Sequence, residues 1–381
     1  MTTPADIQDV LRVCAGAELG TRTEEQLRDA VAAVGAWDTL APAAERHGVA
    51  PLVYKQLKRA AAIPGPQSRQ LQALCVRHRR ANQTRFAVLE RLLAEFRTRD
   101  IPVALLKGAA LAHQLYDDSA ERPMRDLDIL VRATDLPRAA AALRSDGFVL
   151  PDDHGSPFIA RHHHLPTACL RIDGFVVSVE VHHDTVAGDV PASMKFEDTV
   201  DGFVQLTLSN GTRANTLGPT AMLCHLARHG FEPADEIRLI HLLDLLKHAE
   251  RNVHRIDWKY LHRNAPAVCN ALRCAHFVLE IPPLLCDVLR PPNACTPAGA
   301  GRGMRPLSRI LRPGRPVPEM ARELLSPPPW WLHGYYGVPP ERSLLGCRLW
   351  THPARVSRWL GRRAVSYAAN RLQREPTTFT T

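Results

Sequence analysis

Paired cysteines and long apolar runs are both scarce in this sequence. The nine cysteines are scattered and none forms a Cys-x-x-Cys pair, so we expect buried free thiols rather than a zinc site. No segment supplies the roughly 18 consecutive apolar residues that a membrane-spanning helix needs. The amino-terminal segment also lacks the basic start and apolar run of a signal peptide. We therefore expect a cytoplasmic protein without membrane insertion.

Recognition motifs for nucleic acid are also lacking. The chain carries a formal charge of +9 and a pI near 9.3, which would suit an anionic partner. The positive charge is spread along the sequence, however, and no known RNA-binding motif accompanies it. Nucleic acid is therefore not the expected partner. With 381 residues and 45% hydrophobic content, the chain can bury a sizeable core in two or three domains.

A short apolar segment, residues 125–131, carries two aspartates at alternate positions. Side chains alternate across a strand, so Asp126 and Asp128 would share one face while Leu127 and Ile129 take the other. Two neighbouring negative charges repel and are costly to bury, and a divalent cation removes that cost. Carboxylate oxygens suit magnesium or manganese, which proteins usually hold together with substrate phosphates. The pattern indicates a metal site for nucleoside triphosphate chemistry.

A second candidate strand follows a strong turn signal. Residues 164–171 and 175–183 are strand-like, and the Asp-Gly pair between them, at Asp173, is a favoured two-residue hairpin loop. On the second strand the valines at alternate positions face one way, whereas Glu180 and His182 face the other.

Four sequence blocks together resemble the uncharacterised nucleotidyltransferase family of bacteria, within the polymerase beta-like superfamily. They are Leu106-Lys107-Gly108, Arg122, Asp126-x-Asp128 and Glu180-x-His182. The similarity extends from residues 44–57 through the core to residues 221–248. It implies a small mixed sheet in which a Gly-containing turn faces the triphosphate. It also implies that Asp126, Asp128 and Glu180 are the catalytic carboxylates that hold metal.

The resemblance also indicates where the nucleotide binds. Superfamily members usually carry Gly-Ser or Gly-Gly in the turn, whereas this chain has Lys107 followed by Gly108. Glycine lets the backbone approach a phosphate group at the start of a helix, and the lysine adds a positive charge. Arg122 and Arg125 flank the aspartates and are further phosphate-binding candidates, Arg122 being favoured because Arg125 is expected to point away from the metals. Asp244 either reaches the nucleotide cleft or forms a buried ion pair, and the sequence leaves both open.

Several histidines offer further candidates. His182 shares a face with Glu180, where it either touches a metal or orients the carboxylate, and we favour the orienting role. Residues 162–164 are consecutive histidines, for which an exposed strand edge is predicted rather than a metal tract. His225 and His229 have a spacing that zinc can use, but the glutamate of the His-Glu-x-x-His motif is absent. We expect them to line the interface with the catalytic core.

Helical periodicity and turn signals divide the chain into four regions. Residues 1–100 are predicted to be helical, and residues 101–217 to form the nucleotidyltransferase core. Residues 218–281 are predicted to form a helical domain. Residues 282–381 combine a Pro/Arg-rich irregular region with a C-terminal amphipathic helix. The predicted fold class is α+β, with a small mixed β-sheet core and helical N-terminal and C-terminal domains.

The favoured function is metal-dependent transfer of a nucleoside monophosphate, most simply AMP from ATP, to a hydroxyl of a small molecule, peptide or protein, with release of pyrophosphate. Magnesium or manganese is the expected cofactor. The alternative is a nucleotide-binding regulatory or antitoxin-type protein with little or no turnover, which the atypical Lys-Gly turn favours. An RNA-modifying nucleotidyltransferase draws on the net charge of +9 but lacks a supporting motif. The sequence leaves the acceptor open, because loops and appended domains set its choice.

Overall fold

The structure is a computed structural model in which the described strands all lie between residues 104 and 216, with helices before and after them in the chain. It describes residues 5–151, 163–185, 194–208, 210–230, 238–290, 318, 325–327, 329–336, 338–358 and 360–361.

Within these residues, six strands form one mixed sheet. Their bounds are Ala104–Leu105 for β1, Asp126–Leu130 for β2, Ala168–Ile172 for β3, Phe175–His182 for β4, Val204–Thr207 for β5 and Arg213–Thr216 for β6. The order across the sheet is β3-β4-β2-β1-β6-β5. The β2–β4 and β1–β6 pairs are parallel, and the other three pairs are antiparallel. The predicted α+β class with a small mixed sheet is confirmed.

The turn between β3 and β4 has the conformation expected of a tight hairpin. Asp173 and Gly174 have φ values of 50° and 77°, in the left-handed region that such a two-residue loop requires. Along β4 the valines at 177, 179 and 181 are buried. Because side chains alternate, Glu180 and His182 lie on the opposite face of the strand.

The N-terminal region is helical, as predicted. Its helices are Ala5–Glu18 (α1), Glu24–Ala32 (α2), Leu40–Arg46 (α3), Ala50–Arg59 (α4) and Gly65–Thr98 (α5). The α5 helix spans 34 residues and has a proline in its first turn. Proline is tolerated there because the first N–H groups of a helix have no intrahelical partner. Leu89, Leu92 and Phe96 recur at helical spacing and are buried.

The remaining helices alternate with the strands and then follow them. They are Lys107–Gln114 (α6), Leu136–Ser145 (α7), Phe196–Thr199 (α8), Pro219–Gly230 (α9), Leu239–Arg251 (α10), Trp258–Asn264 (α11), Pro266–Ala275 (α12), Pro283–Leu289 (α13) and Pro329–Tyr336 (α14). Two of them, α13 and α14, lie in the region predicted to be irregular. Residues 291–317 of that region lie outside the described residues. The predicted C-terminal helix covers residues 352–373; residues 352–358 and 360–361 of it are helical, and residues 362–373 lie outside the described residues.

One hydrophobic core includes buried side chains from the N-terminal helices, the sheet and the C-terminal helices. The backbone at Gly48 lies close to the side chain of Ile240. A Cβ at Gly48, whose φ is 70°, would lie 2.9 Å from Cγ2 of Ile240. The Ile240 amide donates to the His47 carbonyl at 3.2 Å, so α10 packs against the turn between α3 and α4. The predicted division into four regions stays a prediction.

Two further expectations from the sequence concern the state of the cysteines and membrane-spanning helices. The eight cysteines among the described residues are free; Cys295 lies outside them. No helix in the described ranges has the length and apolar character to cross a membrane.

Candidate metal and nucleotide site

The pairing of β2 with β4 brings carboxylates from two strands together. The strands are parallel, and their register places Asp128 opposite Glu180 and Asp126 opposite Ser178. Glu180 is 52 positions from Asp128 in the sequence, so its place beside that aspartate depends on the strand pairing. The sheet therefore assembles an acidic group of the kind that binds a cation.

Asp128 is the centre of this group. It is 2% exposed, and its Oδ1 accepts hydrogen bonds from Lys107 Nζ at 2.8 Å and from His182 Nε2 at 2.9 Å. Burial alone raises the pKa of Asp128, but the Lys107 ammonium and the His182 hydrogen bond outweigh burial and hold that pKa well below its usual value. Asp128 is therefore a carboxylate at neutral pH, although it is buried.

Three side chains are close enough together to hold a metal ion. One ligand atom from each of Asp128, Glu180 and His182 lies within 4.8 Å of the others, and His182 Nε2 is 3.6 Å from Glu180 Oε2. The Thr167 hydroxyl donates to Glu180 Oε1 at 3.3 Å and helps to orient it. Burial lowers the pKa of His182 to about 4, which leaves a neutral imidazole, the form that can bind metal. Two carboxylates and an imidazole fit a divalent ion.

Asp126 lies outside that group of three, on the more accessible end of β2. Burial and the neighbouring charge of Asp128 raise the pKa of Asp126 to about 6. The charged form of Asp126 is therefore unfavourable when no cation is present.

This shift predicts that Asp126 lowers the stability of the metal-free protein. The folded state binds its proton more tightly than the unfolded state, so the free energy of unfolding decreases as pH rises from about 4 to about 6. Asp126→Asn should therefore raise the free energy of unfolding near neutral pH by roughly 1–3 kcal/mol and leave it unchanged in acid. Urea unfolding with a metal chelator tests this, with the exposed Asp29→Asn as control. Equal stability of wild type and Asp126→Asn at neutral pH would contradict it.

Lys107 has unusual backbone geometry. Its φ is 42°, in the left-handed region that residues other than glycine rarely adopt. Strained backbone of this kind is typical of functional sites, where the surrounding structure holds the residue in place. Lys107 begins α6 directly after β1, and its side chain extends to Asp128. Burial lowers the pKa of Lys107, but the charge of Asp128 outweighs burial and raises it overall.

Gly108 allows an arginine to lie against the start of α6. A Cβ at this position would come within 2.6 Å of Arg122 Nη1 and 2.8 Å of Met124 Cγ, distances shorter than carbon atoms normally reach. Any other residue would displace the guanidinium or the methionine. Packing therefore favours glycine at this position, in addition to the predicted approach of its backbone to a phosphate group.

Arg122 makes a buried ion pair with α10. Its Nε and Nη2 donate to Asp244 Oδ2 at 3.1 and 2.7 Å, and its Nη1 donates to the Pro123 carbonyl at 3.0 Å. The Tyr116 hydroxyl donates to the other oxygen, Asp244 Oδ1, at 2.6 Å. Of the two possibilities for Asp244, the buried ion pair is confirmed. The Arg122 guanidinium therefore donates to Asp244 and to a backbone carbonyl. Phosphate binding by Arg122 stays a prediction.

Comparison with known proteins identifies the family of this chain. A family model described as "Uncharacterised nucleotidyltransferase" matches residues 34–286. The chain belongs to this family. The match runs from the N-terminal helices to α13, and it confirms the resemblance based on the sequence blocks. The protein is a nucleotidyltransferase, and hence a transferase.

Two other comparisons add little. No curated protein matches the sequence. Among solved structures, the solution structure of the antibiotic-resistance factor ANT(2'')-Ia is similar over 44% of this chain and 84% of that chain, at 13% sequence identity and a TM-score of 0.29. A similarity this low supports no argument about the site.

In this nucleotidyltransferase, two further arginines are candidates for binding phosphate, and their environments differ. Arg125 is exposed beside the aspartates, and the direction of its side chain stays a prediction. Arg85 on α5 belongs to no motif that the sequence indicated. Its Nε and Nη1 are buried and have no hydrogen-bond partner among the described residues. Burial lowers the pKa of Arg85, and the charge of Asp126 partly offsets this effect.

Histidines gather beside the nucleotidyltransferase carboxylates. The ring centroids of His163 and His164 lie 5.1 and 5.3 Å from that of His182, because a bridge pairs His164 with the end of β4. The predicted exposed edge is therefore wrong for these two residues, which are half-buried; residue 162 lies outside the described residues. His225 is buried, and burial together with the Lys107 charge lowers its pKa well below the usual value. That His225 and His229 line the interface with the catalytic core stays a prediction.

Proposed function

We propose that this nucleotidyltransferase moves a nucleoside monophosphate, most simply AMP from ATP, onto a hydroxyl of a small molecule, peptide or protein. The acceptor oxygen forms a bond to the alpha phosphorus while the bond to pyrophosphate breaks, and the hydroxyl proton passes to solvent or to a base. The observation that carries the proposal is the register of β2 with β4, which places Asp128 beside Glu180.

Magnesium or manganese is the proposed cofactor. Asp128, Glu180 and His182 would hold one ion, and Asp126 would extend the acidic surface toward a second. The ion would neutralise phosphate charge and lower the pKa of the acceptor hydroxyl. The raised pKa of Asp126 supports this role, because a cation at that position would remove the unfavourable carboxylate repulsion.

Four residues are proposed to face the triphosphate, three through their side chains and Gly108 through its backbone. Lys107 and Gly108 lie at the start of α6, where backbone N–H groups favour an anion. Arg125 is exposed near the aspartates, and Arg85 brings buried donors that are without protein partners in the described structure. A buried donor with no acceptor is unfavourable, so an incoming phosphate oxygen is a suitable partner for Arg85.

A second candidate function is nucleotide-dependent regulation with little or no turnover. The observation that favours it is the bond from Lys107 to Asp128, which neutralises the central carboxylate without a metal. The two candidates differ in one measurable property, the release of pyrophosphate.

The test uses each of the four triphosphates, labelled at the alpha phosphate, with manganese or magnesium present. Wild type is compared with Glu180→Gln and with Asp201→Asn, an exposed aspartate in the same region of the chain. Transferase activity predicts pyrophosphate release and labelled product or self-labelled protein, lost only in Glu180→Gln. Binding without release, even with extracts as a source of acceptor, would support the regulatory candidate. Release that survives Glu180→Gln would contradict the proposed site.

A further inference from the structure

The bond between Lys107 and Asp128 joins a cation to the central carboxylate of the site. We propose that Lys107 makes metal binding dependent on nucleotide. Its ammonium occupies Asp128 in the free protein, opposes the entry of a lone metal ion, and moves to the triphosphate when metal and nucleotide enter together. The last step rests on the proposed function, whereas the opposition to lone metal does not.

The first observation is the crowding at one oxygen. Asp128 Oδ1 accepts both the Lys107 ammonium at 2.8 Å and the His182 imidazole at 2.9 Å. A divalent ion bound to this carboxylate would lie a few ångströms from the ammonium. Like charges at such a distance repel strongly where burial reduces screening by water. A metal ion must therefore overcome or displace Lys107.

The second observation is the charge around the ammonium. Asp126 and Glu180 lie beside Asp128, along β2 and across from it on β4, and Asp128 Oδ1 is 2.8 Å from Nζ of the Lys107 side chain. The side chain is only 14% exposed. Lys107 is therefore the counterion of a buried carboxylate in the metal-free site, where water screens the two charges poorly.

The third observation is the position of Lys107 in the chain. It is the first residue of α6, where helix N–H groups attract an anion. A lysine has a flexible four-carbon stem, so its ammonium can leave Asp128 for a nearby phosphate without movement of the backbone. A triphosphate at the start of α6 supplies that alternative partner, whereas a lone metal ion does not.

Manganese titrations followed by electron paramagnetic resonance test the proposal, with and without ATP. Lys107→Met should bind free manganese about tenfold more tightly than wild type, because the repelling charge is gone. The same variant should bind the manganese–ATP complex about tenfold more weakly, because the phosphate partner is gone. Lys259→Met is the matched control, since Lys259 is exposed on α11, and it should change neither affinity.

Lys107→Arg separates charge from packing, because it keeps the cation. It should hold free manganese as weakly as wild type does, and thermal melting should establish that both variants fold. Free manganese binding that is unchanged or weaker in a folded Lys107→Met would overturn the proposal, as would unchanged affinity for manganese–ATP. If wild type binds no nucleotide at all, the proposed function fails, and the free-manganese titration still decides whether Lys107 opposes metal.

Discussion

Asp128→Asn should lower nucleotide transfer by on the order of 10³-fold, because the metal contributes several kcal/mol of charge stabilisation. Asp128 is the residue on which Lys107 and His182 converge and that lies opposite Glu180. Asparagine keeps the shape but removes the negative charge that would bind the ion. The measurement is pyrophosphate release at saturating manganese and ATP.

The control for this prediction is Asp201→Asn, which removes an exposed aspartate outside the site. It should release pyrophosphate at the wild-type rate. Thermal melting must accompany the assay, because Asp128→Asn also leaves the buried Lys107 ammonium without its partner. A folded Asp128→Asn protein that retains wild-type transfer would show that Asp128 is not a metal-binding residue.

Asp244→Ala should lower the free energy of unfolding by about 3–5 kcal/mol. Asp244 is 1% exposed and accepts two bonds from Arg122 and one from the Tyr116 hydroxyl. Removing the carboxylate leaves a buried guanidinium without its counterion, which is far less favourable than losing both charges. Urea unfolding of wild type and variant measures the difference.

Three further variants separate this effect from general damage. Arg122→Met combined with Asp244→Leu should lose much less stability than Asp244→Ala, because no charge is left buried and unpaired. Tyr116→Phe removes a single hydrogen bond and should cost about 1 kcal/mol. Glu24→Ala breaks the exposed pair with Arg59 and should cost less than about 1 kcal/mol. A loss below about 1 kcal/mol for Asp244→Ala would contradict the buried ion pair as a main support of α10.

The sequence predicted the local parts of this structure well. Residue alternation assigned Glu180 and His182 to one face of β4, and the turn at Asp173 was placed correctly. Both features depend on neighbouring residues, since side-chain alternation and hairpin turns are local properties of the chain. The helix Leu136–Ser145 likewise carries its own local signals, a proline in its first turn and a glycine after its end.

The partners of charged side chains were harder to predict. Arg122 lies 122 positions from Asp244 in the sequence, and no local pattern indicates that pair. The direction of Lys107 toward Asp128 likewise depends on how α6 packs beside β2. Arg85 was missed because a single arginine in a long polar helix face carries no motif. Such contacts follow from tertiary packing, which one sequence does not encode in its local periodicity.

The histidines illustrate the same limit. His163 and His164 looked like an exposed edge because consecutive histidines have no spaced ligand partners in the sequence. The structure brings them beside His182 through the bridge to β4. Strand pairing between distant segments, rather than composition, decides their burial.

Calorimetric titration of ATP into the wild-type protein, with manganese and then with a chelator, decides whether carboxylates on β2 and β4 hold metal together with a nucleoside triphosphate. Binding should require manganese, be lost in Asp128→Asn and be retained in Asp201→Asn. Absence of ATP binding with manganese, or equal binding with manganese and with chelator, would contradict such a site.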